Sequence, residues 1–347
     1  MNNLQLIDFK TFAEDFCLSA SLANSSFLIT GATGLIGSTL VGCLSALNVN
    51  ISITCPVRSL RKAHELFGKE YKNVTFVECD SIEGYLEGLS PHNQYQYIVH
   101  CASPTDGKYM TEHPVETFEF SVNTTKSLLV YAKNNPIKGL VYVSSLEYYG
   151  QNHNNNFITE DFQGYINSTS SRSSYPMGKR AAEFLCYIYA TEYNIPAKVA
   201  RLTQTFGAGV SKTDNRVFAQ FARSVINGND IVLHTTGESS KPYCYTTDCI
   251  SAILYVLVKG EKGEAYNVAN PDTFISIREM AEFLRDEFAP TINVVVDIHP
   301  EYGYAPVTCL NLSTKKLESL GWKPKYRLKQ MFDMLINSIK EDSNAIN

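Results

Sequence analysis

A tyrosine and a lysine four residues apart give this chain its clearest potential for acid–base chemistry. Tyr175 and Lys179 stand in the segment YPMGK, at the start of a predicted helix at 176–193. A spacing of four places both side chains on one helix face. A free phenol is a poor base at neutral pH because its pKa is about 10. A neighbouring ammonium favours the phenolate, which can then take a proton from a substrate hydroxyl.

A second polar group lies upstream, where a predicted strand at 140–144 ends in the segment SSLEYYG. It contains Ser145 and Glu147. A Tyr–Lys pair occurs by chance in many helices, but the pair combined with this serine predicts removal of a hydroxyl proton while a hydride leaves the same carbon. Glu147 has a plainer alternative, a surface or helix-capping carboxylate.

A glycine-rich turn joins a predicted strand at 27–30 to a predicted helix at 35–47, and its sequence is GATGLIG. Glycines at this spacing allow a sharp turn, let backbone N–H groups approach a pyrophosphate and let the helix pack on the strand. This context predicts a dinucleotide-binding site. The residues assigned to it are Gly31, Thr33, Gly34, Leu35, Ile36 and Gly37.

The end of the second predicted strand bears on the choice between NAD and NADP. A site that selects NAD usually has an acidic residue here, whereas this chain has Arg58 and Ser59. Arg58 could bind a 2′-phosphate and Ser59 could add a hydrogen bond, which slightly favours NADP. Arg58 could equally be a solvated cation or stack on the adenine of NAD.

Short residues follow the next two predicted strands. Asp80 and Ser81 are candidates for the adenine edge of the cofactor, and Cys101, Ala102 and Ser103 for its nicotinamide side. Taken alone, each could also be an ordinary turn residue.

The elements that must position these residues alternate regularly, as in a parallel sheet built from βαβ units. Predicted strands lie at 27–30, 51–54, 74–78, 97–100, 140–144 and 198–202, and predicted helices at 9–18, 35–47, 59–67, 115–134, 176–193, 276–287 and 328–340. We expect an α/β fold with a Rossmann-type doubly wound sheet and a smaller, mostly C-terminal α/β substrate lobe. The expected Rossmann domain spans 1–205, with an extra N-terminal helix in 1–23 and a returning piece at about 243–260. Residues 206–347 form the interleaved lobe.

The composition argues against several classes of function. The chain has 347 residues and a net charge of -5, so it lacks the positive excess that holds nucleic acid. The apolar run at 250–258 is too short for a bilayer, and we expect no membrane association. Nine scattered cysteines without a CxxC pair predict reduced thiols and no metal site. Asp8, Glu14 and Asp15 stand where a signal peptide needs apolar residues, so we expect a cytoplasmic protein.

These motifs resemble those of the extended short-chain dehydrogenase/reductases, in the NAD-dependent epimerase/dehydratase group that modifies nucleotide sugars. The similarity runs from about residue 24 to 340 and rests on GATGLIG, HCASPT, the Asn of SVNTTKSLL, SSLEYYG, YPMGK, RLTQTFG, KPYCYTTD and GEAYNVAN. The resemblance implies that bound NAD(P)⁺ oxidises a nucleotide sugar at C4. Tyr175 would be the base, Lys179 would hold it and the nicotinamide ribose, and Ser145 would bind the reacting oxygen. It also implies a cofactor contact for Asn123 and substrate contacts for Gln204, Arg216, Val217, Lys241 and Tyr245.

Within this family, Glu147 resembles the glutamate of dehydratases and glucuronate decarboxylases, where galactose-type epimerases carry threonine. The 4,6-dehydratases add an aspartate just before it, and this chain has Leu146, which offers no proton. The pattern favours a UDP-glucuronate decarboxylase-like reaction over epimerisation. An NADPH-dependent reductase is the alternative, supported by Arg58. A more remote alternative is a non-catalytic NADP-binding sensor, because a sensor would not need the base that this chain carries.

Two substrate positions depart from the family pattern. Lys241 stands where the family usually has arginine, and Gln204 where it usually has asparagine. Lysine can bind a diphosphate or carboxylate as a point charge but not bidentately. We expect Arg216 and Lys241 to neutralise a diphosphate together.

The predicted helices at 115–134 and 176–193 carry more apolar residues than one face of a sheet can cover. Among these residues are Leu128, Leu129, Phe184, Leu185 and Ile188. The resemblance implies that such helices pair across a two-fold axis in a four-helix bundle, so we expect a homodimer.

Overall fold

The computed structural model describes residues 1–68, 71–89, 94–153, 156–299 and 307–344. Its strands are β1 (Ser25–Thr30), β2 (Ile51–Val57), β3 (Val74–Glu78), β4 (Tyr97–His100), β5 (Gly139–Ser145), β6 (Ala197–Leu202), β7 (Gln204–Phe206), β8 (Ile231–Leu233), β9 (Ser240–Tyr245), β10 (Ala265–Val268), β11 (Asn270–Ser276) and β12 (Val294–Val296). Its α-helices are α1 (Asn3–Asp15), α2 (Leu35–Ala46), α3 (Leu60–Phe67), α4 (Ile82–Glu87), α5 (Gly107–Glu112), α6 (Pro114–Asn134), α7 (Ser174–Tyr193), α8 (Val217–Asn227), α9 (Thr246–Lys259), α10 (Ile277–Phe288), α11 (Lys315–Glu318) and α12 (Leu328–Asn344).

Seven strands form one sheet in the order β10-β6-β5-β4-β1-β2-β3. Every neighbouring pair is parallel. This arrangement confirms the predicted Rossmann-type class, and each of the six predicted strands overlaps a strand of this sheet. The chain order reverses between β1 and β4, and the carboxyl ends of the strands at such a point form the ligand crevice of this fold.

The N-terminal helix begins and ends earlier than the sequence predicts. Asn2 and Gln5 form a reciprocal cap that starts α1 at Asn3, and the helix ends at Asp15 instead of near residue 18. The ring of Phe9 packs so closely on α2 that a Cβ at Gly42 would lie 2.2 Å from it. A glycine at this position is therefore what lets α1 cover α2.

The C-terminal half builds a second core while also returning to the large sheet. Strands β11, β9 and β7 form a three-stranded sheet, and β12 pairs with β8. Helices α8, α10 and α12 enclose this core with fully buried side chains that include Phe218, Met280 and Phe332. Helix α9 packs on β5 and β6, and β10 extends the seven-stranded sheet beside β6.

No helix among the described residues combines the length and apolar character that crossing a bilayer requires.

Candidate active site

The glycine-rich turn after β1 is shaped to hold a dinucleotide. Gly31 has a φ of +72°, and a Cβ there would lie 2.6 Å from the backbone nitrogen of Ala102. A Cβ at Gly37 would lie 2.2 Å from the carbonyl oxygen of Gly31. Helix α2 starts after Gly34, which supplies no side-chain cap for the first backbone N–H groups. These N–H groups and the positive end of the helix dipole fit a pyrophosphate. Thr33, Leu35 and Ile36 lie partly exposed on the same turn.

Two serines predicted to bind cofactor act as helix caps in this structure. The Ser59 hydroxyl accepts a hydrogen bond from the Lys62 backbone nitrogen at 3.3 Å, and Ser81 accepts one from Gly84 at 3.0 Å. Arg58 and Asp80, which directly precede them, are exposed at the carboxyl ends of β2 and β3. These two charged side chains therefore remain accessible to a ligand.

The segment after β4 lies beside the glycine-rich turn. The backbone nitrogens of Cys101 and Ala102 donate to the carbonyl and hydroxyl oxygens of Thr30, at 3.2 and 3.3 Å. Burial raises the pKa of the Cys101 thiol to about 12, so it is protonated at neutral pH. The hydroxyl of Ser103 lies close enough to Tyr175 to lower the pKa of its phenol. The structure thus brings 101–103 to the predicted base.

Tyr175, in the first turn of α7, is 8% exposed. Burial raises the pKa of its phenol above the ordinary range, and the charge of Glu147 raises it further. Ser145, Arg172 and Ser103 act in the opposite direction. The phenol is therefore protonated in this environment, and its ionisation depends on further positive charge.

Lys179 lies one helical turn beyond Tyr175 and is 2% exposed. Its ammonium donates to the carbonyl oxygen of Val143 at 2.9 Å and lies 5.5 Å from the centre of the Tyr175 ring. Burial lowers its pKa to about 8, against the opposing effect of Glu183 and other nearby groups. The side chain is thus mainly a cation at neutral pH, beside the phenol that it would stabilise as phenolate.

Glu147 is paired with an arginine that the sequence analysis missed. Glu147 belongs to the 3₁₀ turn Leu146–Tyr149. The Ser145 hydroxyl caps this turn by accepting a hydrogen bond from the Glu147 backbone nitrogen at 3.2 Å. Arg172 Nη2 donates to both carboxylate oxygens of Glu147, at 2.9 and 2.8 Å. The segment RSSYPMGK placed Arg172 three residues before the predicted base, and that proximity was a usable signal.

A buried ion pair beneath this turn was also missed. Arg201 Nη2 lies 2.7 Å from Glu183 Oε2, with both side chains almost fully buried. Ser144 donates to Glu183, and Arg201 donates to the Tyr149 hydroxyl at 3.0 Å. Because Tyr149 lies in the turn that carries Glu147, the pair anchors this part of the site. Breaking such a pair typically costs about 3–5 kcal/mol.

Two of the predicted substrate residues lie on the three-stranded sheet, one on its edge strand β7 and one on its central strand β9. Gln204 begins β7 beside Tyr243 of β9, and Lys241 is partly buried on β9. Burial lowers the pKa of Lys241, while the nearby charge of Glu147 raises it. Within the described parts of the chain, the Lys241 ammonium makes no hydrogen bond or ion pair, which leaves it available to an anionic ligand.

The structure corrects the expectation for Tyr245. Its side chain is fully buried, donates its hydroxyl to Asp8, and lies 4.1 Å from the ring of Tyr326. The hydroxyl of Tyr245 is thus already bound to Asp8, and the contact ties α1 to β9.

The surroundings of three further groups of predicted residues bear on their expected roles. Arg216 Nη2 lies 2.5 Å from Asp214 Oδ2, so its charge is already compensated, and Val217 begins α8 beside it. The side chain of Asn123 is exposed on α6, and its expected cofactor contact stays a prediction. Leu128 and Leu129 are completely buried, so they cannot contribute to a dimer surface.

Comparison with known proteins identifies a family model and a curated relative that match most of this chain. The sequence model of the NAD dependent epimerase/dehydratase family matches residues 27–269. UDP-glucuronic acid decarboxylase 6 of Arabidopsis thaliana is 27% identical over 322 residues, which cover 89% of this chain and 87% of the relative.

Two solved structures have a similar fold. The UDP-glucose 4-epimerase of Thermotoga maritima superposes with a TM-score of 0.80 at 20% identity, covering 92% of this chain and 99% of the epimerase. The dTDP-glucose 4,6-dehydratase of Bacillus anthracis, solved in complex with NAD, gives 0.76 at 22% identity, with 92% and 98% covered.

Proposed function

Because the chain belongs to the NAD dependent epimerase/dehydratase family, we propose that this enzyme oxidises UDP-glucuronate at C4 and decarboxylates the resulting 4-keto sugar. The observation that carries the proposal is Glu147 placed beside Tyr175 with Leu146 before it. Leu146 is buried in a small apolar cluster with Leu310 and Leu312, so this position supplies no acid for a dehydration. The similarity to a UDP-glucuronic acid decarboxylase supports the same reaction.

The family's nicotinamide cofactor would lie along the carboxyl ends of β1, β2 and β4. The turn from Gly31 to Gly37 would hold its pyrophosphate, Arg58 and Asp80 its adenosine half, and the segment 101–103 its nicotinamide half. When bound, this cofactor supplies hydride-acceptor and hydride-donor chemistry at C4 of the sugar. The substrate would occupy the cleft between residues 1–205 and the lobe formed by 206–347.

In the first step, residues of the chain accept the proton of the substrate hydroxyl and stabilise the charge that forms. Tyr175 takes the proton of the C4 hydroxyl, and the Lys179 ammonium stabilises the phenolate in this buried setting. Ser145, whose oxygen faces the phenol, holds the C4 oxygen as it becomes a carbonyl. The Glu183–Arg201 pair keeps this group of side chains in place.

Oxidation at C4 turns the uronate into a β-keto acid. The C5–C6 bond then breaks, CO₂ leaves, and the electron pair moves to the C4 oxygen as an enolate. The enolate takes up a proton at C5. Tyr175 would then give its proton back to the C4 oxygen as the hydride returns to C4, which leaves a UDP-pentose and the cofactor in its oxidised form. Lys241 would hold the carboxylate before it leaves, and Glu147 would accept hydrogen bonds from sugar hydroxyls and relay the returning proton.

Replacing Glu147 and Tyr175 separates the two steps. Glu147→Gln with UDP-glucuronate should accumulate enzyme-bound reduced nicotinamide, detected by its absorbance, with little release of CO₂. Tyr175→Phe should slow the oxidation itself by about 10²–10⁴-fold, the usual contribution of a positioned acid–base group. Turnover of Glu147→Gln at the wild-type rate would refute the role given to Glu147 and favour epimerisation.

Arg58 favours a second candidate, an NADPH-dependent reductase of a keto-sugar. It is exposed after β2 and makes no ion pair within the described residues, so it is available to a 2′-phosphate. We therefore include a preference for NADP in the proposal. Rapid exchange of the bound cofactor with added NADPH would support the reductase, whereas tightly retained oxidised cofactor supports internal recycling.

We also propose a homodimer built on α6 and α7. Large apolar side chains stand exposed on these two helices: Val115, Phe118, Phe120, Val130, Met177, Phe184, Tyr187 and Tyr193. Phe184 and Tyr187 are 62% and 53% exposed, which is costly for a monomer. Five buried cysteine thiols suit a reducing compartment, and we place the enzyme in the cytoplasm.

A further inference from the structure

Arg172 and Glu147 reach the site from two separate turns. Arg172 belongs to the short turn Ser171–Ser173 that leads into α7, and Glu147 belongs to the turn that follows β5. One guanidinium nitrogen contacts both carboxylate oxygens at 2.9 and 2.8 Å. Their side chains are 45% and 37% exposed, so a substrate entering the cleft would meet this pair.

The pair matters because Glu147 and Tyr175 are both required as anions in the proposed reaction. Two negative charges side by side oppose each other's formation. Glu147 raises the pKa of the Tyr175 phenol, and Arg172 lowers it. The other groups that face the phenol are Ser145, Ser103, Tyr142 and the Lys179 ammonium.

The other cations near Glu147 cannot replace Arg172. Lys179, on α7, donates to the Val143 carbonyl of β5. Lys241, on β9, makes no ion-pair contact with Glu147 among the described residues, although the charge of Glu147 raises its pKa. Arg172 is the cation in hydrogen-bond contact with the carboxylate, and a guanidinium stays charged at every pH that the protein survives.

We propose that Arg172 is a positioning residue, which holds the Glu147 carboxylate and offsets its charge so that the Tyr175 phenolate and the Glu147 carboxylate can exist together. This inference rests on the proposed function, because it assumes that both anions act in one catalytic cycle. It assigns no chemical step to Arg172 itself.

The test is the pH dependence of C4 oxidation in Arg172→Met and Arg172→Lys, measured as the rate of reduced-nicotinamide formation in a single turnover with UDP-glucuronate. Arg172→Met should slow oxidation about tenfold at pH 7, the low end of the effect of a nearby opposite charge. The loss should shrink as the pH rises and phenolate forms. The oxidation rate of Arg172→Lys should lie between the rates of the wild type and Arg172→Met.

The double variant Arg172→Met with Glu147→Gln provides the decisive comparison. Removing both charges should restore oxidation to near the wild-type rate, which loss of a merely structural contact would not do. Arg278→Met, which removes an exposed pair with Glu282 on α10, is the control and should change nothing. A loss in Arg172→Met that is equal at every pH, or a double variant as slow as the single one, would overturn the proposal.

A second readout needs no substrate. The phenolate of Tyr175 can be titrated in the complex with oxidised NAD(P)⁺, as the absorbance difference between each protein and its Tyr175→Phe counterpart. Arg172→Met should move the midpoint upward and the double variant should move it back. If wild-type enzyme forms no reduced nicotinamide with UDP-glucuronate, the proposed function fails, and this titration still decides the role of Arg172.

Discussion

Replacing Asp8 by asparagine should stabilise the protein at neutral pH, although it removes a buried hydrogen-bonded carboxylate. Asp8 is 4% exposed, accepts the hydroxyl proton of Tyr245, and lies near the equally buried Asp248. Burial raises the pKa of Asp8 to about 6, and Asp248 adds to the effect. Burial likewise raises the pKa of Asp248 to about 6. The charged form of Asp8 is therefore unfavourable where it stands.

The sign and size of the effect follow from the two states of the chain. The ordinary pKa of an aspartate is 3.8, so the folded protein binds more protons than the unfolded one between about pH 4 and 6. Its free energy of unfolding must fall as the pH rises through this window. A difference of about two pKa units corresponds to about 3 kcal/mol, the upper limit of what Asp8→Asn can recover above pH 6. The asparagine oxygen can still accept from Tyr245, but its amide needs a partner, so we expect a gain of about 1–2 kcal/mol.

Urea unfolding of both proteins at pH 5 and pH 8 measures this gain. The variant should be more stable at pH 8, and its advantage should shrink at pH 5. Asp15→Asn on the same helix is the control, because its exposed pair with Lys325 contributes about 0–1 kcal/mol at most. If Asp8→Asn destabilises the protein equally at both pH values, the buried charge of Asp8 costs no stability at pH 8 and the reasoning is wrong.

Three other changes test the remaining parts of the account. Gly37→Ala should weaken dinucleotide binding at least tenfold, because the added Cβ would lie 2.2 Å from the carbonyl oxygen of Gly31. An unchanged affinity in calorimetry would show that the turn can shift to accommodate the methyl group. Arg58→Ala should weaken NADP binding by about 1.5–3 kcal/mol and leave NAD binding nearly unchanged, whereas equal losses would mean that Arg58 does not select between them. Phe184→Glu should convert the proposed homodimer to a species of 38.8 kDa in light scattering, and a wild-type protein already of that mass would contradict the proposed dimer.

The parts of the site that the sequence predicts are those encoded by short spacings. The glycine-rich turn needs three glycines within seven residues, and Tyr175 with Lys179 needs one helical turn. The alternation of strands and helices likewise fixes the parallel sheet, because each unit is local. These features depend on neighbours in the chain, and the sequence displays neighbours directly.

The missed features join residues that are far apart in the chain. Asp8 and Tyr245 are 237 positions apart. Because of their hydrogen bond, Tyr245, which was expected to bind substrate, anchors α1. Glu147 and Arg172 meet across 25 positions, where two turns converge. No spacing rule links such positions, because only the packing of α1 and the convergence of the turns brings them together.

Incubating the purified enzyme with UDP-glucuronate labelled in its carboxyl carbon tests the proposed decarboxylation directly. We expect labelled CO₂ in a one-to-one ratio with a UDP-pentose, without net reduction of added NAD(P)⁺. Retention of the label, together with conversion of UDP-glucose to UDP-galactose or stoichiometric consumption of NADPH on a keto-sugar, would contradict it.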